Sequence, residues 1–140
     1  LKGLKNLVTN TGLKGRWQEL SSSPRVICDV GHNPDGVQQL MKQLSEEPYD
    51  TVKVVWGMSA DKKIDEILSL LPINYKYYWC AADNARSLSS VALKKQASKL
   101  GLQGEAHSSV KEAYQNAVSK IKSNEMIFVG GSVFVVSEVL

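Results

Sequence analysis

Among its 140 residues the sequence has no apolar stretch near the ~20 needed for a membrane-spanning helix; runs such as Met126-Ile127-Phe128-Val129 are four residues long. No interaction with a membrane is therefore expected. The first twenty residues hold no apolar core of a signal peptide. Cysteine is scarce: Cys28 and Cys80 sit singly within apolar runs, with no Cys-x-x-Cys and no adjacent histidine. A disulfide scaffold and a zinc site are thus excluded, and the two read as buried, reduced thiols of a cytoplasmic protein. Only two histidines are present, His32 and His107, and there is no G-x-S-x-G turn, so a hydrolase triad has few bases to draw on. Neither a G-x-x-x-x-G-K-[ST] phosphate loop nor a G-x-G-x-x-G turn occurs. A self-sufficient nucleotide site is not expected, nor catalysis by this stretch alone. There is no initiator methionine, the first Met being Met41, so the sequence reads as a piece of something longer.

What is present fits one globular domain: 43% hydrophobic and 22% charged residues, with a net charge of +3. The basic excess is local, because residues 1–25 carry five Lys or Arg against one Glu and the remainder is near balance. That is too little for a nucleic-acid stripe.

Apolar runs and helical stripes alternate. Arg25 to Val30 reads as a strand. From Pro34 the apolar residues Val37, Leu40, Met41 and Leu44 recur at helical spacing, with Asn33 as cap and Pro34 in the first turn. Thr51 to Trp56 is a second strand, Ile64, Ile67, Leu68 and Leu71 a second stripe, and Tyr75 to Ala81 a third strand. Ser89 to Leu100 is a helix stopped by Gly101, with a short strand expected at Gly104 to His107. Ser109 and Glu112 form a capping box ahead of the next helix. Glu125 to Val129 is the last strand, and residues 133–140 fit a helix packing back. Trp17 to Leu20 would add an edge strand. This order predicts an α/β domain with a mostly parallel sheet of about six strands, helices on both faces and one antiparallel edge strand.

In such sheets ligands bind beyond the carboxyl ends of the strands. The polar and glycine-rich residues gather there: Asp29-Val30-Gly31-His32-Asn33-Pro34, then Gly57 to Asp61, Asp83 to Arg86, and Gly130-Gly131-Ser132. Asp29 suits two ribose hydroxyls, or it ties its loop to backbone N–H groups. His32, just before a helix, is expected to be a neutral, hydrogen-bonding imidazole. Arg16, between Gly15 and Trp17, suits a phosphate or is a plain surface charge. Ser132 can cap a helix and expose N–H groups to an anion. Asn33 and Arg86 either hold an anion or brace their loops; Asp61 is most simply the cap of the following helix; His107 has no assigned role.

Taken in order and spacing, Gly15-Arg16-Trp17-Gln18, Asp29-Val30-Gly31-His32-Asn33-Pro34, Trp56-Gly57-Met58 with Asp61-Lys62-Lys63, Ala85-Arg86 and Gly130-Gly131-Ser132-Val133-Phe134 resemble the C-terminal domain of the folylpolyglutamate synthase/dihydrofolate synthase family, among the Mur-ligase-like ATP-dependent amide ligases. The resemblance runs from about Gly12 to the end. It implies a Rossmann-like domain, over residues 13–140, of an enzyme that adds L-glutamate to dihydropteroate or folate through an acyl phosphate. Residues 1–12 would be a linker from an N-terminal P-loop domain of the same chain. That domain would supply the magnesium ligands, so ATP and Mg are the implied cofactors and no metal ligand is expected here. Carried across, Arg16 and Asp29 would bind ATP, and His32 and Ser132 would hold glutamate as neutral donors to its carboxylate. A monomer is expected. The competing expectations are the C-terminal domain of another Mur-type ligase and a free-standing module that binds a nucleotide or small molecule without chemistry.

Overall fold

The computed structural model describes residues 15–61 and 63–140. The proposed linker at 1–12 and Lys62 lie outside the described residues. The elements in chain order are β1 (Gln18–Ser22), β2 (Arg25–Cys28), α1 (Pro34–Ser45), β3 (Thr51–Trp56), α2 (Ile64–Leu68), β4 (Lys76–Trp79), α3 (Ser90–Lys99), β5 (Gly104–Ala106), α4 (Val110–Ser119), β6 (Glu125–Gly130) and α5 (Val133–Ser137). They build one six-stranded sheet in the order β1-β2-β6-β3-β4-β5. Only β1 runs antiparallel to its neighbour, and β2, β6, β3, β4 and β5 are parallel, as expected.

Strand alternation sorts the core into two layers. Ile27, Val54, Trp56, Trp79 and Phe128 face α1, α2 and α3, which contribute Val37, Leu40, Leu44, Ile67, Leu68 and Leu93. Val26, Cys28, Val55, Ile127 and Val129 face α4 and α5, which contribute Val110, Ala113, Ala117, Val135 and Val136. Each fully buried Leu, Ile or Val adds about 1.5–3 kcal/mol to folding. Right-handed crossovers explain the division. The chain moves one way across the sheet from β2 to β5 and places three helices on one face; it then returns to insert β6 between β2 and β3, which puts α4 on the other.

That return creates the switch in strand order. The chain leaves β2 and β3 toward helices on one face and leaves the intervening β6 toward α5 on the other. Their exits splay apart at the carboxyl edge and open a crevice where such sheets bind ligands. The opposite edge is closed by charge. Glu125, whose side chain is 2% exposed, takes Lys76 Nζ at 2.7 Å and the Lys122 N–H at 3.0 Å, and lies 3.8 Å from Lys53 Nζ. Lys53 also donates to the Ala117 carbonyl at 3.0 Å.

Candidate functional site

Asp29 directly follows β2 and is 6% exposed. Its Oδ1 accepts from the Gly31 N–H at 2.8 Å and its Oδ2 from the Trp17 N–H at 2.7 Å. Burial raises its carboxyl above the ordinary value, opposed by those two N–H groups and by the charge of Arg16. The Gly15-Arg16-Trp17 turn is thereby fastened over the strand end, helped by the Val30 N–H donating to the Gly15 carbonyl at 2.8 Å. Gly15 stands at φ 88° and Trp17 at φ 45°, the latter a left-handed conformation unusual for a non-glycine residue. A backbone held in this way presents Arg16 at a fixed place. The hollow beneath, about 260 Å³, is lined by Arg16, Trp17, Asp29 and Gly31, and by Gln39 and Gln43 of α1.

A second hollow, about 80 Å³, opens where β6 and β3 end; Ser132, His32, Ser59 and Arg86 line it, with Val133 and Phe134 as its apolar wall. Gly131, at φ 101°, makes the turn into α5, and an added Cβ there would collide with the Gly57 carbonyl oxygen. Ser132 Oγ accepts from the N–H groups of Phe134 and Val135 at 3.0 and 3.2 Å. Its acceptor capacity is thus spent on capping the helix, and its O–H remains as a donor. His32 Nδ1 lies 3.2 Å from the Val30 carbonyl oxygen. A carbonyl only accepts, so Nδ1 is the donor to it, and the tautomer with its single proton there has an acceptor at Nε2.

Arg86 pairs with Asp61 at 3.2 Å, both side chains being more than half exposed. Such a pair holds about 0–1 kcal/mol. α2 begins at Ile64 with Lys63 at the cap position and no side-chain capping bond, so the cap expected at Asp61 is not seen. Asn33 does cap α1, accepting from the Gly36 N–H at 2.7 Å.

The expected site residues thus divide between two hollows, both fed by the Asp29–Asn33 loop: Arg16 and Asp29 in one, His32, Ser132 and Arg86 in the other. Sequence reasoning missed Gln39 and Gln43, although their i, i+4 spacing beside buried Leu40 was a usable signal. It also missed Trp17 as a lining residue, and Ser59, Val133 and Phe134. Both hollows are smaller than the ~300–1,000 Å³ of pockets that enclose a ligand. A nucleotide fits the first only in part, through an arginine for phosphate and a carboxylate for hydroxyls. Among the described residues no group of three His, Cys, Asp or Glu side chains could hold a metal ion, and no helix is long and apolar enough to cross a membrane. Larger hollows lie near Arg25 and Glu125 and along β5. In the first, Arg25 and Glu125 are consumed in ion pairs.

The family described as Mur ligase, glutamate ligase domain, matches residues 15–133. The dihydrofolate synthase/folylpolyglutamate synthase of Buchnera aphidicola subsp. Schizaphis graminum is 34% identical over 142 residues, spanning 99% of this chain and 33% of that protein. Among solved structures, E. coli FolC in complex with ADP, without folate substrate, superposes with a TM-score of 0.81 at 31% identity, over 89% of this chain and 30% of that one. A bifunctional folylpolyglutamate synthase/dihydrofolate synthase with Mn, AMPPNP and L-glutamate bound gives a TM-score of 0.79 at 28% identity, over 91% of this chain and 30% of that one. The chain spans about a third of the length of these three relatives.

Proposed function

This chain belongs to the Mur ligase glutamate ligase domain family, and we propose that it is the C-terminal domain of a dihydrofolate synthase/folylpolyglutamate synthase, providing one wall of the ATP site and part of the glutamate site. The observation that carries the reading is the separation of polar groups just described: a hollow with Arg16 and Asp29 beside a smaller one with His32, Ser132 and Arg86. The likeness to a protein that binds Mn, AMPPNP and L-glutamate supports it.

In the proposed reaction a carboxylate oxygen of dihydropteroate, or of a folate's terminal glutamate, attacks the γ-phosphorus of ATP and ADP leaves. The glutamate nitrogen then attacks the acyl carbon, the bond to phosphate breaks, and inorganic phosphate departs. Arg16 meets the phosphoryl charge, where an arginine is worth most. Asp29 accepts from ribose hydroxyls with the lone pairs left by its backbone bonds. In the second hollow Arg86 exchanges Asp61 for a glutamate carboxylate, and Ser132 O–H donates to it. The acceptor at His32 Nε2 takes a hydrogen bond from the glutamate amine and orients it. Val133 and Phe134 cover the methylene chain and keep water from the acyl phosphate. The P-loop and metal ligands come from the remainder of the longer protein, in the cytoplasm.

The test is incorporation of labelled L-glutamate by the full-length protein, given ATP with either dihydropteroate or a reduced folate. ATP-dependent incorporation with at least one acceptor is expected. No incorporation with either would overturn the reading.

A further inference from the structure

Ser59 is 6% exposed, lies just beyond β3 and lines the hollow shared by His32, Ser132 and Arg86. Its hydroxyl has no hydrogen-bond partner among the described residues, and it is absent from the sealed, partnerless polar atoms, which are Trp56 Nε1, Trp79 Nε1 and His107 Nε2. The oxygen therefore keeps its contact with the outside, and the outside available to it is the hollow. A hydroxyl that opens on a cluster of ligand-binding groups is free to donate to whatever those groups bind.

Its placement is also fixed. Ser59 and Ser87 face each other in an isolated antiparallel bridge. The Ala60 N–H donates to the Arg86 carbonyl at 2.7 Å and the Leu88 N–H to the Met58 carbonyl at 2.9 Å. The backbone carrying Ser59 is thus locked to the backbone carrying Arg86, and the two side chains serve one hollow as a unit.

We infer that Ser59 is a further glutamate-binding residue, its hydroxyl donating to the same carboxylate that Arg86 engages. This rests on the reading of the hollow as the amino-acid site. The arrangement favours a carboxylate over the amine: Arg86 and the Ser132 O–H are donors, the acceptor at His32 Nε2 serves the amine, and a second donor beside a guanidinium completes the site for a two-oxygen acceptor. Ser59 acts on binding, not on phosphoryl transfer, because it stands in the hollow that lacks Arg16 and Asp29.

The experiment is steady-state kinetics of the full-length protein carrying Ser59→Ala, Arg86→Gln, or both, with KM measured separately for L-glutamate and ATP and a melting curve for each variant. Ser59→Ala should raise the glutamate KM about tenfold, the loss of one hydrogen bond to a charged group, with the ATP KM unchanged. In the double variant the increase should be smaller than the product of the single effects, since both donors serve one carboxylate. Should Ser59→Ala melt early, Ser59→Cys, close in size and a poor donor, gives the same readout. An unchanged glutamate KM in a folded Ser59 variant, while Arg86→Gln raises it, overturns the role of Ser59 and leaves the amino-acid hollow standing. If His32→Ala and Arg86→Gln both leave the glutamate KM untouched, the reading of the hollow itself fails.

Discussion

The Trp17 N–H donates to Asp29 Oδ2 at 2.7 Å, so a single buried carboxylate joins the turn bearing Arg16 to the strand end that leads to His32. Asp29 is therefore a tie between loops as well as a ligand candidate; the two readings of its sequence position are compatible, since each oxygen has a lone pair beyond its backbone bond. Asp29→Ala frees the turn and orphans two N–H groups, while relieving the burial of a charge. The net loss should be about 1–3 kcal/mol in urea unfolding, accompanied by a higher ATP KM. An unchanged ATP KM in the folded variant would remove Asp29 from the nucleotide site and leave only the tie.

Asn33 gives a cleaner separation of bracing from binding. Asn33→Ala should cost about 1 kcal/mol through loss of the α1 cap, and Asn33→Ser, which can still accept from the Gly36 N–H, should restore both stability and kinetics. If Asn33→Ser were as stable as the parent but kinetically impaired, the amide would be touching a ligand.

Acid sensitivity should originate at the far edge of the sheet. Burial raises the Glu125 carboxyl, but Lys76, the Lys122 N–H and Lys53 together hold it below its ordinary 4.5. The stability it contributes is complete above that value and is lost as pH falls through the depressed one. Glu125→Gln should cost about 3–5 kcal/mol at neutral pH, because Lys53 is left buried and uncompensated, and should flatten the decline in stability between neutral and acid pH. Denaturant midpoints across that range, parallel in parent and variant, would place the acid response elsewhere.

The split site also sets an affinity. A few charge-assisted contacts at ~1.5–3 kcal/mol each do not clearly exceed an association cost of ~4–15 kcal/mol. The 140-residue chain alone should therefore bind ATP at about millimolar or weaker by calorimetric titration. Micromolar binding would mean that these residues build a whole nucleotide site.

Local signals in the sequence were strong wherever a helix advertised its own start. Asn33 and Pro34 open α1 as their residue types require, and the Ser109/Glu112 box forms, with Glu112 reaching back to the Ser108 N–H in place of that of Ser109. The capping role expected of Asp61 did not form: Lys63 stands at the cap position of α2, and Asp61 pairs with Arg86, distant in sequence. Insertion of β6 between β2 and β3 rests on contacts about seventy to one hundred residues apart, which no local pattern encodes. Arg16, Asp29, His32 and Ser132, singled out by the family resemblance, do line the two hollows. Ser59 was not singled out, since a serine in a loop carries no signal until its burial and lack of partners are known.

Adjoining hollows that handle separate substrates should respond differently to substitution, as steady-state kinetics of the full-length protein with Arg16→Ala and His32→Ala would reveal. Arg16→Ala should depress kcat through the phosphoryl step with the glutamate KM near that of the parent, and His32→Ala should chiefly raise the glutamate KM. Identical effects of both variants on both substrates, or no effect of either, would contradict the division of the site.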